Sequence, residues 1–269
     1  MPIILKKYPS KHLEVYIPED LEPSLRQHVL SVLPDPTRTV APEKAQVLKS
    51  AHQRLVLRLP AGRSHPSLIA KMFPLRKVSS MLRYRKYAYR EFLNGERARR
   101  RGIAAPIPYG YFHARWLGLV QGSGLITNDL TGYKDISQLS EEKGDFLAAA
   151  TLAIPAIVAQ YNAGIYHGDF RDANLMIAPG STDGSDYSLI DWQYASYVKP
   201  RQEWLLEHLC AFFITKSPRK HQETLLREGL ARVHTAAQPD IPLIVLQQRV
   251  ERLMRKKMST RRRLQLTPA

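Results

Sequence analysis

The sequence predicts an α+β chain of two lobes, a strand-rich N-terminal lobe followed by a helix-rich C-terminal one. Three observations carry this reading. Short runs rich in Val, Leu and Ile, separated by polar turns, occupy positions 45–73 and resume at 109–128. One helical stretch, Val78 to Arg101, interrupts them. After Asn128 the apolar spacing turns helical and stays so to the end, apart from a short hairpin.

Residues 1–44 are irregular and proline-bearing (Pro9, Pro18, Pro23, Pro34, Pro36, Pro42), and a short helix fits Pro23–Leu33. Proline fixes φ and removes a donor, which interrupts regular elements. Gln46–Leu48, Arg54–Leu59 and Leu68–Phe73 read as strands. In Val78–Arg101, Ala88, Phe92 and Gly95 recur at i, i+4, i+7, and Gly102 is a suitable stop. Pro106 and Pro108 lead into a hairpin, Tyr109–Phe112 with Trp116–Val120, and a strand follows at Leu125–Asn128. Gly122-Ser123-Gly124 has no helix after it and no G-K-[ST] exists in the chain, so it reads as a turn and not a phosphate loop. Residues 140–163 read as one long apolar helix, kinked or started late by Pro155. Ile165–Ile177 is a compact loop between short strands, Pro179–Asp186 a polar turn and Tyr187–Ile190 a strand; helices follow from Glu203. The expected organisation is therefore an N-terminal extension (1–44), an N-lobe (45–128) and a helical C-lobe with a basic tail (129–269).

At 269 residues and 30.7 kDa the chain can bury a full core without disulfides or a structural metal. Its one cysteine, Cys210, excludes an internal disulfide and a cysteine-cluster zinc site. The histidines form no H-x-x-x-H pair and no G-x-S-x-G is present, so neither a zinc hydrolase nor the common hydrolase elbow is supported. Forty Lys+Arg against twenty-four Asp+Glu give a net charge of +16, a field that attracts polyanions. Basic patches interleaved with exposed aromatics are missing, so no nucleic-acid partner is expected. No secretory signal is read at Met1–Lys11, and no uncharged apolar stretch reaches about 20 residues, so a cytoplasmic location is expected, either free or peripheral on the inner membrane.

The chemistry concentrates in His167-Gly168-Asp169-Phe170-Arg171-Asp172-Ala173-Asn174, with Leu189-Ile190-Asp191-Trp192 shortly after it. Phosphoryl transfer from ATP needs a carboxylate to take or orient the proton of the attacking hydroxyl. It also needs oxygen ligands that hold Mg²⁺ against the triphosphate. Asp169 and Asn174, five apart on one loop, can serve as base and metal ligand; Asp191, ending a strand beside that loop, can be the main metal ligand. The competing reading makes Asp169 a structural cap. His167 reads as a hydrogen-bonded support for the loop and Asp172 as local structure.

This H-x-D-x-x-x-x-N with a downstream D resembles the catalytic and metal-binding loops of the protein-kinase-like superfamily. In the form H-G-D-x-x-x-x-N with I-D-W it is similar to the aminoglycoside and choline phosphotransferases, and above all to the lipopolysaccharide kinase family. The resemblance spans roughly residues 45–215. It implies a small antiparallel-sheet N-lobe, a helical C-lobe, an active cleft between them, ATP and Mg²⁺ as cofactors, and a heptose or Kdo of the lipopolysaccharide core as acceptor. Lys71, in Leu68-Ile69-Ala70-Lys71-Met72-Phe73, matches the family's phosphate-holding lysine. Its helix partner would be Glu91, which lies on the Ala88/Phe92/Gly95 face; Glu96 is about 140° out of phase with it. The adenine-reading hinge falls at Thr127-Asn128-Asp129-Leu130, so Asn128 and Leu130 are nucleotide-binding candidates. Arg171 stands where protein kinases carry a γ-phosphate lysine, with a solvated or substrate-facing role as the alternative. The phosphate-covering turn around Lys49-Ser50-Ala51-His52 lacks glycine, and Lys49 or Ser50 would substitute. Asp191-Trp192-Gln193 replaces D-F-G, and no A-P-E follows, which argues against a protein substrate.

Two basic runs remain, Arg76–Arg101 and the amphipathic Arg249–Arg263. Each is either a solvated helix face or a docking surface for anionic lipid or phosphorylated saccharide. The alternatives to a lipopolysaccharide kinase are an aminoglycoside- or choline-type small-molecule kinase, and a non-catalytic kinase-shaped protein that binds anionic membrane components.

Overall fold

The computed structural model describes residues 3–10, 13–38, 41–51, 54–62 and 64–256. The chain divides into two compact units, Met1–Glu96 with Pro106–Leu130, and Arg97–Ala105 with Thr131–Ala269.

The first unit is built on an antiparallel sheet with seven strands among the described residues. In chain order they are β1 (Leu5–Ser10), β2 (Leu13–Pro18), β3 (Gln46–Ala51), β4 (Arg54–Leu59), β5 (Leu68–Pro74), β6 (Pro108–Trp116) and β7 (Leu119–Asn128). The spatial order is β1-β2-β6-β7-β5-β4-β3. The N-terminal stretch expected as an irregular extension thus supplies β1 and β2 to the sheet and a helix that covers it. Leu13, Val15 and Ile17 alternate inward on β2, a period-2 signal that the surrounding prolines hide. Helix α1 (Pro23–Val32) shares a core with that face through Val29, alongside Leu57, Leu68 and Met72. On the other face Ala88 and Phe92 cluster with Phe73, Tyr111 and Leu125.

Two local expectations change. Gly122-Ser123-Gly124 is not a turn but the middle of β7. A side chain at Gly122 would meet the Pro36 carbonyl at 2.5 Å, and one at Gly124 would enter the Phe112 ring. The hairpin turn lies instead at Leu117–Gly118, where both φ values are positive. The helix expected over Val78–Arg101 is broken into α2 (Val78–Leu82), a 3-10 turn at Tyr84–Lys86 and α3 (Ala88–Arg100). Helix α2 buries none of its residues, so only the part carrying Ala88 and Phe92 gains the packing that keeps a helix continuous.

The second unit is mainly helical. After β8 (Lys134–Asp135) come α4 (Ile136–Lys143), α5 (Phe146–Thr151) and α6 (Ile154–Ala163). The single helix expected over 140–163 is instead three: left-handed Gly144 ends α4, α5 stops at Thr151, and Pro155, whose fixed φ suits a first turn, starts α6 late. The stretch Phe146–Ala163, of mean hydropathy 1.4, is apolar and long enough to cross a membrane by composition, yet half of it is buried in the core. Strands β9 (Ile165–Tyr166), β10 (Leu175–Ile177), β11 (Tyr187–Leu189) and β12 (Ser196–Tyr197) form two small sheets, β11-β10-β8 and β12-β9. Helix α7 (Glu203–Lys216) is buried from Leu205 to Ile214 and is the axis of this core. Around it come α8 (Gln222–Thr224), a π turn, α9 (Leu230–Ala237) and α10 (Leu243–Arg255).

One histidine makes the sheet acid-sensitive. His113 on β6 is 2% exposed and ringed by Tyr16, Tyr84 and Tyr111, with centroids 4.8–5.9 Å away. Burial, reinforced by the Arg115 guanidinium, pushes its pKa down to about 4. An unfolded histidine titrates near 6.5, so the stability is full above that pH and is lost as pH falls towards 4, on the order of 3 kcal/mol. Glu14 works in a lower window: burial opposes its charge, but Arg115 and Lys7 hold it at about 2. We expect the urea midpoint to fall between pH 7.5 and pH 4.5, and His113→Phe to shrink that fall. An unchanged fall in the variant would remove His113 as the cause.

Candidate active site

The first unit supplies a buried ion pair. Lys71 sits on β5 opposite Val56 and Leu125, in the middle of the sheet. Its Nζ donates to Glu91 Oε1 at 2.8 Å, with the two side chains 15% and 5% exposed. Glu91 reaches it because Ala88 and Phe92, three before and one after, seat that face of α3 in the same apolar cluster as Phe73 and Leu125. A buried ammonium without a partner would cost several kcal/mol, so each charge requires the other.

The remaining N-terminal candidates are placed less tightly. Lys49 is exposed on edge strand β3 and opposes Val56, which in turn opposes Lys71. Directly opposed residues share a sheet face, so the two lysines lie in one row, about 10 Å apart at the usual strand spacing. His52, in the expected phosphate-covering turn, lies outside the described residues. At the end of β7, Asn128 is committed to Ile107: its amide donates to the Ile107 carbonyl at 3.1 Å, and its Oδ1 accepts from the Ile107 amide at 2.6 Å. Leu130 ends the unit, half-buried, beyond Asp129. Asp129 is the anchor that the sequence does not announce: its carboxylate takes Arg58 Nε at 2.7 Å and Ser67 Oγ at 2.7 Å. Sequence separations of 71 and 62 residues leave no spacing signal for such contacts.

The second unit supplies the loop between β9 and β10. Gly168 makes its first bend at φ +79°, and a Cβ there would meet the Tyr194 carbonyl at 2.5 Å. Phe170 is 1% exposed and packs on Phe213 of α7, which pins the loop to the core. Between these anchors Asp169 is left three-quarters buried. Asn174 Nδ2 donates to the Asp169 carbonyl at 2.8 Å and to its Oδ2 at 3.1 Å. Arg171 Nε stands 3.7 Å from the same Oδ2. Asp172 faces elsewhere, accepting from Ala173 N at 2.8 Å and Ser137 Oγ at 3.0 Å, which is local structure as expected.

Asp191 is held beside this loop through its neighbours. The Ile190 amide donates to the Asn174 carbonyl at 3.0 Å, and His167 Nε2 donates to the Ile190 carbonyl at 2.9 Å. His167 also meets Trp192 edge-on, 4.6 Å between centroids, so it is a support for the segment. Trp192 Nε1 donates to the Leu189 carbonyl at 2.7 Å. Asp191 itself is left-handed, φ +68° and ψ +56°, a strained conformation for a residue with a side chain. Such strain persists only where the surroundings enforce it, as these bonds do.

The donor chemistry suits a hard divalent cation. Asn174 commits its amide nitrogen to Asp169, which leaves its side-chain oxygen as the group suited to a cation, and the Asp191 carboxylate is the second oxygen donor nearby in the chain. Among the described residues no three acidic, histidine or cysteine side chains gather as a cation cage. Mg²⁺ needs none, because it uses one or two protein oxygens and completes its shell with phosphate and water.

The first unit thus holds a strand-borne Lys–Glu pair, and the second holds Asp169 and Asn174 on one loop with Asp191 after the adjacent strand; these are the residue types that phosphoryl transfer employs. Residues 77–216, just over half of the chain, match the model of the Lipopolysaccharide kinase (Kdo/WaaP) family. The chain belongs to that family, and it is a kinase, a transferase of lipopolysaccharide biosynthesis that uses ATP and a saccharide acceptor. No curated protein shows significant similarity to it. Of solved structures, "WaaP in complex with acyl carrier protein" is similar over 86% of this chain and 97% of that one, at 16% identity and a TM-score of 0.51. Matches number 1433 solved chains, so structural likeness at this identity shows the two-lobed α+β fold alone. Lys49 and Lys71 precede the matched segment and rest on fold and geometry.

Gly168→Ala should destabilise the second unit by about 1–3 kcal/mol, since the added methyl strikes backbone in a disfavoured φ. Thermal melting checks this, and a wild-type melting temperature would mean that the bend is not fixed as described.

Proposed function

We propose that this chain transfers the γ-phosphoryl group of ATP to a hydroxyl of a heptose in the lipopolysaccharide inner core, with Kdo as the alternative acceptor. The observation that carries the reading is the joint placement of Asp169, Asn174 and Asp191 through the Asn174–Asp169 and Ile190–Asn174 bonds. Asp169 orients the sugar hydroxyl and takes its proton as the new oxygen–phosphorus bond forms and the bond to ADP breaks. Asn174 and Asp191 would hold Mg²⁺, which when bound neutralises phosphate charge and draws the triphosphate into line. Lys71, fixed by Glu91, takes the α/β-phosphates; Lys49 adds a cation in the same row. Backbone at Leu130 would read the adenine, while Asn128, whose backbone N–H and C=O are engaged by the Ile107 carbonyl and Thr127 Oγ1, shapes the end of the strand before it. Arg171 is near enough to Asp169 to steady the γ-phosphate or the acceptor.

Asp169→Ala should abolish transfer to core oligosaccharide, by roughly 10³-fold or more, while nucleotide binding survives. Asp191→Ala should abolish transfer and also weaken Mg·ATP binding in a thermal-shift titration. Wild-type activity in either variant would overturn the assignments, and a wild-type protein with no thermal response to Mg·ATP would favour the non-catalytic reading. Mass spectrometry of core oligosaccharide from cells with and without the gene should show one lost phosphate, and its position separates heptose from Kdo.

We further infer that the enzyme works on an anionic membrane surface. The support lies in the stretch between Glu43 and Glu91, which contains no acidic residue. In it α2 exposes Val78 and Leu82, 61% and 67%, one helical turn apart, beside the exposed Arg76, Lys77, Arg83, Arg85 and Lys86. Each base near an anionic surface contributes about 1 kcal/mol. The C-terminal run supports it less, since Arg249 is bound to Glu203 and Glu207 at 2.9 Å; Lys257 and Arg261–Arg263 lie outside the described residues. Leu82→Ser combined with Arg83→Glu and Lys86→Glu should weaken co-sedimentation with phosphatidylglycerol vesicles at least tenfold. Equal sedimentation would dismiss this segment as the contact. A purified acidic protein such as an acyl carrier protein, the partner in the solved WaaP complex, is the competing occupant to titrate.

A further inference from the structure

The second unit holds an open groove of about 710 Å³ at the start of α7, bordered by α10. Its volume is in the range of small-molecule sites. Three arginines (Arg201, Arg249, Arg252) and three acids (Glu203, Glu207, Asp240) line it, with Trp204 among them. In a chain of net charge +16 this lining is formally neutral.

The lining is also held rigidly. Arg249 Nη1 donates to Glu203 Oε2 and Glu207 Oε1, both at 2.9 Å, and so fixes α10 against α7. Arg201 is left-handed at φ +56° and lies over the Tyr161 ring at 5.2 Å. It donates to Asn162 Oδ1 at 2.8 Å and to the Gln238 carbonyl at 2.7 Å. Trp204 is half-buried and braced edge-on by His208.

The chemistry narrows the ligand. Phosphate or a polyanion would call for a surplus of cations, and here the charges balance. A lipid chain would call for apolar walls, and the lining is dominated by charged side chains. Planar carboxylates and guanidinium groups beside one indole are what vicinal hydroxyls and the apolar face of a sugar ring require. We propose that this groove is a saccharide subsite that binds an uncharged sugar of the acceptor. The proposal rests on the lipopolysaccharide-kinase reading for its ligand and extends it to a second contact. It favours a heptose over a carboxylate-bearing Kdo in the groove. The groove is also linked to the Asp169 loop through one backbone hydrogen bond. Arg201 N donates to the Tyr161 carbonyl at 2.9 Å, and α6 runs from Tyr161 through Gly164 into β9 and the Asp169 loop.

The test is saturation-transfer NMR on the full chain without nucleotide, using dephosphorylated heptose-containing core oligosaccharide as the probe. Wild type should give transfer to the sugar protons, Trp204→Leu should lose it, and Arg252→Ser should weaken it at least fivefold. Arg252 is exposed at the end of α10, so its replacement leaves the fold intact, and circular dichroism melting checks both variants. Absence of transfer in the wild type at millimolar sugar, or equal transfer in all three proteins, would overturn the proposal. Kinetics separate it from the kinase reading. Phosphoryl transfer with an unchanged acceptor KM in Arg252→Ser removes the groove and leaves the kinase. Binding through Trp204 in a chain that transfers no phosphate keeps the groove and removes the kinase.

Discussion

The bond from the Ile190 amide to the Asn174 carbonyl, 3.0 Å long, is the joint on which the rest of the site depends. It ties two segments that meet as β10 and β11, and it sets the residue before Asp191 directly against the loop that carries Asp169. Everything around it serves that joint. His167 bonds the Ile190 carbonyl and meets Trp192 edge-on, and the missing side chain of Gly168 leaves room for the Tyr194 backbone. A hydrogen bond contributes only about 1 kcal/mol net, yet several that share one segment fix geometry far better than any one alone. The strained φ of Asp191 is held against relaxation by that sum.

The Lys71–Glu91 pair follows a different logic. Two nearly buried charges contribute little net stability once desolvation is counted, so the pair is better understood as positioning. It holds an ammonium group on β5, an interior strand paired on both sides by β4 and β7. Met72 and Ala70 beside it point into the opposite core, so the strand cannot roll to release the lysine without exposing them.

Charge is distributed as unevenly as structure. The segment around α2 carries bases and exposed apolar side chains with no acid among them, whereas the groove beside α7 balances arginine with carboxylate. A single +16 total conceals two surfaces of opposite character, one suited to an anionic sheet of headgroups and one to neutral hydroxyls.

Much of this was written in the sequence because it depends on local spacing. The five-residue step from Asp169 to Asn174, the strand period around Lys71 and the helix phase that chooses Glu91 over Glu96 are all short-range geometry. The supporting role of His167 and the local role of Asp172 were legible for the same reason. The membership of β1 and β2 in the sheet was not, because β2 pairs with β6 some hundred residues later, and Pro9 and Pro18 make the stretch read as a loop. Nor was Gly124 as a strand residue, since only the Phe112 ring across the sheet demands a missing side chain there. The Arg58–Asp129–Ser67 anchor and the groove around Trp204 likewise join positions far apart in the chain. The sequence alone determined the phase of the candidate groups, because backbone periodicity dictates where Lys71, Glu91, Asp169 and Asn174 fall on their elements. Tertiary structure alone decided what braces them, because long-range contacts are selected by packing and leave no periodic trace.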